Sequence, residues 1–193
     1  MLAVADDPEV VEAVLAAGRL PCPRCGGPLG PWSWARDREI RGVAGARRRL
    51  RPRRARCRDC GTTHVLLPSW TLARRRDAAQ VIGTALSAWR DGQGHRRIAA
   101  ALGVPEGTVR GWLRRFASRA ELLRVHATAW AHDLDPLLPA IAARGSPCDD
   151  AWEALGVAAA AVVRRFGPGG TPWHALAGLT GAALLSPGPL PTP

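Results

Sequence analysis

Four of the five cysteines fall into two pairs, Cys22 and Cys25 in "CPRCG" and Cys57 and Cys60 in "CRDCG". A C-x-x-C turn folds two sulfurs toward one point. The glycine after the second cysteine permits the tight positive-φ knuckle that such a turn needs. Two knuckles supply the four thiolates of a tetrahedral Zn²⁺ site, and four thiolates leave no open position for catalysis. Structural zinc on Cys22, Cys25, Cys57 and Cys60 is the expectation. Two disulfides fit poorly with an N-terminus, "MLAVADDPEV", that is acidic where a secretion signal is basic. A redox pair explains one C-x-x-C and not two. His64, in "CGTTH", is a possible replacement ligand, although a histidine just past a knuckle more often caps a strand or touches phosphate. Cys148 has no partner in sequence and reads as a small packed residue.

The second set of chemically pointed residues is arginine. The chain has no lysine, so all 27 basic residues are arginines, and the formal net charge is +11. Codon bias inflates Ala, Arg, Gly and Pro together, so the total is weak evidence. The distribution is stronger. Between Arg36 and Arg76, fourteen arginines face only Asp37, Glu39 and Asp59, a net of +11. The whole excess lies in that one segment, the electrostatic footprint of a nucleic-acid binder. Arg53, Arg54 and Arg56 are candidate phosphate contacts on a ribbon strand, with Pro52 marking an interruption or an edge.

Elements must hold these groups in place. "DDPEVVEAVLAAGRL" predicts a helix capped by Asp7, opened by Pro8 and ended by Gly18. Residues 21–70 carry glycine, proline and loosely alternating apolar residues, which predicts short strands and knuckle turns. The helical period returns after Arg75. "HRRIAAALGVPEGTVRGWLRR" (95–115) then matches a helix-turn-helix: a small Ala99 at the helix crossing, Gly103 at the turn, and Ile98, Leu102, Val104, Val109 and Trp112 facing inward. On that frame Glu106, Gly107, Thr108, Arg110, Gly111 and Arg114 face outward. Thr108 and Arg110 are the candidate base contacts, with Glu106 beside them; Arg114 and Arg115 meet phosphate, and Arg96 and Arg97 grip the flanking backbone. "SPCDDAWEALGVAAAAVVRRFG" (146–167) has a capped helix start at Ser146, and "SPGPLPTP" predicts an extended or disordered tail.

A zinc ribbon, then "HVLLPSW", then "IAAALGVPEGTVRGWLRR" resembles the N-terminal DNA-binding region of insertion-sequence transposases, and the small zinc-ribbon/helix-turn-helix proteins of high-GC bacteria that carry this region alone. The resemblance covers about residues 20–116. It implies that the ribbon and the helix-turn-helix grip DNA ends while a separate ribonuclease-H-like domain cuts. Only Cys22, Cys25, Cys57, Cys60 and the 95–115 unit carry over. The 77 residues after Phe116 read as helices with no strand run. Asp133, Asp135, Asp149, Asp150 and Glu153 therefore lack the sheet that two-metal chemistry requires. No Gly-rich phosphate loop and no Ser/His/Asp arrangement is present, so no enzymatic activity is expected.

The expected fold is mainly α: an N-terminal helix (1–20), a small β Cys₄ zinc ribbon with an arginine-rich strand (21–70), a helix-turn-helix domain (75–125), C-terminal helices (126–181) and a proline-rich tail (182–193). The expected function is sequence-specific or semi-specific binding of double-stranded DNA, by a transposase-derived protein or a transcriptional regulator. A homodimer through the C-terminal helices, a cytoplasmic, nucleoid-associated location and no membrane contact go with it. Two alternatives stay open. The helix-turn-helix docks a protein partner, or the ribbon binds single-stranded RNA by stacking bases on Trp32, Trp34 and Trp70.

Overall fold

The first secondary structure is a strand, not a helix. In the computed structural model, which describes residues 1–192, Leu2–Val4 (β1) pairs in parallel with a strand far along the chain. The helix predicted next, Pro8–Ala16 (α1), begins as expected: the Asp7 side chain accepts from the Glu9 amide at 2.8 Å and Pro8 opens the first turn. Its apolar stripe buries Val11 and Leu15 against Leu29, Ala55 and Leu66.

Those partners sit on a sheet made from Leu29–Trp34 (β2), Arg53–Cys57 (β5) and Thr63–Pro68 (β6), with β1 as the fourth strand. The order is β1-β6-β5-β2. The β6 strand meets β5 antiparallel, with Ala55 opposite His64, and β1 parallel, with Leu2 opposite Leu66. Between β2 and β5 the chain leaves this sheet. Arg38–Arg41 (β3) and Arg47–Leu50 (β4) form a separate antiparallel hairpin, Ile40 opposite Arg48. A tight connection with Ala44 at φ 54° and Gly45 at φ 74° turns it.

Six helices make the second body: Ala79–Arg90 (α2), His95–Leu102 (α3), Glu106–Ser118 (α4), Ala120–Leu134 (α5), Pro147–Phe166 (α6) and Pro172–Leu179 (α7). One continuous core runs through all of them. Small residues let α6 lie close to its neighbours: Ala151, Ala154, Ala158 and Ala161 are fully buried. An aromatic chain of edge-on contacts, Trp89 to Phe116 to Trp152 to Trp173, links α2, α4, α6 and α7. Gly83 on α2 is the contact point for α7, since a Cβ there would lie 2.0 Å from the Trp173 ring.

These elements correct the expected fold class. Helices hold 46% of the chain and strands 17%, with a 4-strand mixed sheet, so the fold is α with β rather than mainly α. Among the described residues, no plain helix-turn-helix follows a zinc ribbon. Gly103 does take the left-handed turn (φ 61°) between α3 and α4, and Val104, Val109 and Trp112 are buried. That pair is nevertheless built into the six-helix core and braced by the β3–β4 hairpin, whose Ile40 and Leu50 pack into the same core. Sequence periodicity reports that a helix has an apolar face; it does not report which strands cover that face.

The proline-rich end, expected as extended or disordered, forms no helix or strand from Ala182 to Thr192, yet Leu184, Leu185 and Leu190 are buried. Its carbonyls are held from elsewhere: Arg75 donates to Leu185 at 2.6 Å and Arg119 to Gly188 at 3.2 Å. Among the described residues, no helix is long and apolar enough to cross a membrane.

Candidate metal centre and nucleic-acid interface

The two cysteine knuckles are near copies of one another. In the first, the Gly26 amide donates to the Cys22 carbonyl at 2.8 Å and Gly26 sits at φ 76°. In the second, the Gly61 amide donates to the Cys57 carbonyl at 3.2 Å and Gly61 sits at φ 71°. One turn leads into β2 and the other leaves β5. Pairing of those strands, Leu29 opposite Cys57, therefore brings the turns face to face. The sulfurs of Cys22, Cys25, Cys57 and Cys60 all lie within 4.8 Å of one another, positioned to hold a metal ion. Cys22 and Cys57 are buried and form part of the ribbon core, while Cys25 and Cys60 face out.

Crowding splits the acidities of the outer pair. Hydrogen bonds from the Thr62 hydroxyl and amide, then Cys25, lower Cys60 to about 6. At Cys25 the Gly27 amide favours the thiolate, but Cys60 and Cys57 outweigh it and the thiol is pushed up to about 12. His64 reaches the cluster too, with Nε2 3.4 Å from the Cys22 sulfur. Cys148 lies half-buried in the first turn of α6, away from the cluster.

The arginine-rich run divides by partner. Arg53 is clamped by Glu12, Nε to Oε1 at 2.5 Å and Nη2 to Oε2 at 3.3 Å, and donates to the Ser33 carbonyl at 3.0 Å. Its guanidinium is inside the ribbon and not free for phosphate. On the hairpin, Arg47 pairs with Glu39, and Arg49 and Arg51 share Asp37. Arg48 lies over the Trp70 ring at 4.3 Å. Arg41 donates to the Gly103 carbonyl and approaches Asp77, whose carboxyl is raised by burial against the lowering effect of Arg41. Arg54 and Arg56 point to the opposite side of β5 from Ala55 and Cys57; Arg54 reaches the Thr63 hydroxyl at 3.4 Å.

On α4, Glu106, Gly107, Arg110, Arg114 and Arg115 are exposed and Thr108 is half-exposed, while Val109, Trp112, Leu113 and Phe116 are buried. Gly111 is buried, against the outward position expected for it. Arg115 folds back along its own helix to the Gly111 carbonyl at 3.0 Å, and a Cβ on Gly111 would meet its Nη1 at 2.8 Å. Arg96 and Glu106 face each other at 3.6 Å, so one of the expected backbone grips is turned toward the start of α4. Arg97, Arg110 and Arg114 make no ion pair among the described residues.

Asp37, counted in the sequence among the acids of the basic run, takes up Arg49 and Arg51. Sequence reasoning passed over Glu12 and Asp77, which take up Arg53 and Arg41. Glu12 lies on a predicted helix and Asp77 between elements, so neither announces its partner. The acids of the C-terminal segment are engaged locally: Asp149 accepts from the Ser146 hydroxyl at 2.6 Å, Glu153 pairs with Arg144, and Asp135 with Arg164.

Residues 22–112 match the model of a family described as "Domain of unknown function (DUF6431)". The match opens on the first cysteine of the metal cluster and ends at Trp112 in α4, so it takes in both knuckles, the hairpin, α2 and α3. No curated protein matches the chain, and no solved structure does.

Proposed function

We propose that this chain binds double-stranded DNA as a non-enzymatic, zinc-stabilised protein, a transposase-derived binder or a transcriptional regulator. The observation that carries the reading is α4. One side is anchored in the core, and the other offers Arg110 and Arg114, which form no ion pair among the described residues. A rigid helix with unpaired arginines on its open face suits the major groove, with Thr108 and Arg110 toward base edges and Arg114 toward phosphate. Arg54 and Arg56, which also form no ion pair among the described residues, add sequence-independent affinity. The resemblance to transposase DNA-binding regions supports the same assignment.

Zinc is the metal that suits the cysteine cluster. A tetrahedral ion with Zn–S bonds of about 2.3 Å spaces its sulfurs by roughly 3.8 Å. Cys22 and Cys60 stand 3.8 Å apart and Cys25 and Cys57 stand 3.5 Å apart. Four thiolates fill such an ion's coordination, so its part is to hold β2 and β5 together.

The test is selection of bound sequences from a random duplex pool at two salt concentrations. An enriched motif at both salts is the expected result. Retention at low salt with no motif leaves only the arginine patches, and no binding at either salt sinks the reading.

A further inference from the structure

The outer face of the ribbon sheet carries an exposed indole, Trp32, to which the duplex reading gives no part. The register between β2 and β5 slips between Pro31 and Ser33, leaving Trp32 as the extra residue of a bulge. The bulge puts the Trp32 ring on the side of Arg56, whose guanidinium carbon lies 4.8 Å from the ring centroid, and 55% of the residue stays exposed. The other tryptophans of this region differ. Trp34 stacks with Arg53, the arginine clamped by Glu12, and Trp70 is buried under Arg48.

Around Trp32 lies an open cleft of about 570 Å³ formed with Arg56, Arg58, Gly30 and Gly61. Gly30 gives Arg58 room to lie along the strand, since a Cβ there would approach Arg58 Nε to 3.2 Å. Arg54, Arg56 and Arg58 form no ion pair among the described residues; Asp59 also borders the cleft. An exposed indole flanked by free guanidinium groups matches one ligand chemistry, a flat unpaired base attached to a phosphate backbone. The bases of an intact duplex have their faces stacked on each other and cannot offer one. Base stacking on an aromatic ring with arginines along the backbone is the general logic of single-strand binding.

We propose that Trp32, with Arg56 and Arg58, is a stacking site for an unpaired base of single-stranded nucleic acid, distinct from the α4 face. The proposal extends the nucleic-acid reading above to a second form of the polymer. The test is fluorescence polarisation of labelled (dT)₁₂, (rU)₁₂ and a selected or random duplex with the full chain and two variants. Trp32→Ala, at an exposed site, should weaken single-strand binding about tenfold and leave the duplex unchanged, with Trp32→Phe recovering part of the loss. Loss on (dT)₁₂ alone, on (rU)₁₂ alone or on both supports the site and tells which sugar it accepts. No single-strand binding by the wild type, no effect of Trp32→Ala, or equal weakening on duplex and single strand overturns it. Arg110→Ala is run alongside. Should that variant bind duplex normally while Trp32→Ala loses the single strand, the α4 reading fails and this one stands.

Discussion

Arg41 donates from Nη1 to the carbonyl of Gly103 at 2.9 Å, joining the hairpin to the turn between α3 and α4. The same side chain stands 3.4 Å from Asp77, which is 5% exposed. One guanidinium thus caps a turn carbonyl and supplies the counter-charge to a buried carboxylate whose Oδ1 has no hydrogen-bond partner.

Arg41→Ala should cost about 3 kcal/mol at neutral pH, because it strands a buried charge. The loss should shrink on acidification. Burial raises the Asp77 pKa, so the folded state holds a proton more tightly than the unfolded one, and stability falls as pH rises through that window. Urea unfolding of wild type and variant at pH 7 and pH 4.5 checks the sign; an equal difference at both values contradicts it.

Gly83→Ala should destabilise the helical body by about 1–3 kcal/mol, since the new methyl overlaps the Trp173 ring and α7 must move. Thermal melting gives the loss, and near-UV circular dichroism should show the indole leaving its packed setting. Gly107→Ala on α4, which has nothing within 4 Å of a new Cβ, serves as the contrasting substitution and should not destabilise.

Chelation should act on one body only. The ribbon core is small and includes Cys22 and Cys57 themselves, whereas the helices share a core of their own. Metal removal or Cys57→Ser should therefore open the sheet while most helical ellipticity survives. Metal release below about pH 5, as thiolates protonate, should give the same partial transition. Measured zinc near one equivalent per chain is the accompanying expectation.

Two arginine substitutions should separate grip from scaffold. Arg114→Ala should weaken duplex binding about equally across sequences and lower the salt slope by about 1. Arg53→Ala should instead lower stability, leaving Glu12 without its partner, with the salt slope unchanged. Titrations at several salt concentrations, paired with melts, distinguish the two.

Glu106→Gln should tighten DNA binding several-fold at low salt. The change removes a negative charge from the exposed start of α4 and frees Arg96, which now faces it at 3.6 Å. Unchanged affinity would place the start of α4 away from the phosphates.

Local signals in the sequence were the readable ones. Asp7 and Ser146 cap the helices they were expected to cap, and the two C-x-x-C-G turns converge because their glycines allow it. Long-range pairing was not readable. Residues Leu2–Val4 are too few to show a strand's alternation, and nothing local tells them to lie beside Leu66. Arg47–Leu50 looks like a polycation because only Leu50 shows the apolar face that docks the hairpin. The arginine surplus was visible as a sum, but which arginines stay free depended on Glu12 arriving from α1 and on Asp77 being buried beside Arg41.

The ribbon closes behind the hairpin: the Ala35 amide donates to the Pro52 carbonyl at 2.8 Å, so residues 36–51 leave and return through one point. In engineering terms the hairpin is a detachable insert of the sheet and a fixed part of the helices. Replacing it with a tight turn would leave the metal knuckles still in register. The wound would open elsewhere, in the helical core that loses Ile40 and Leu50 and at the Gly103 turn that loses its strut.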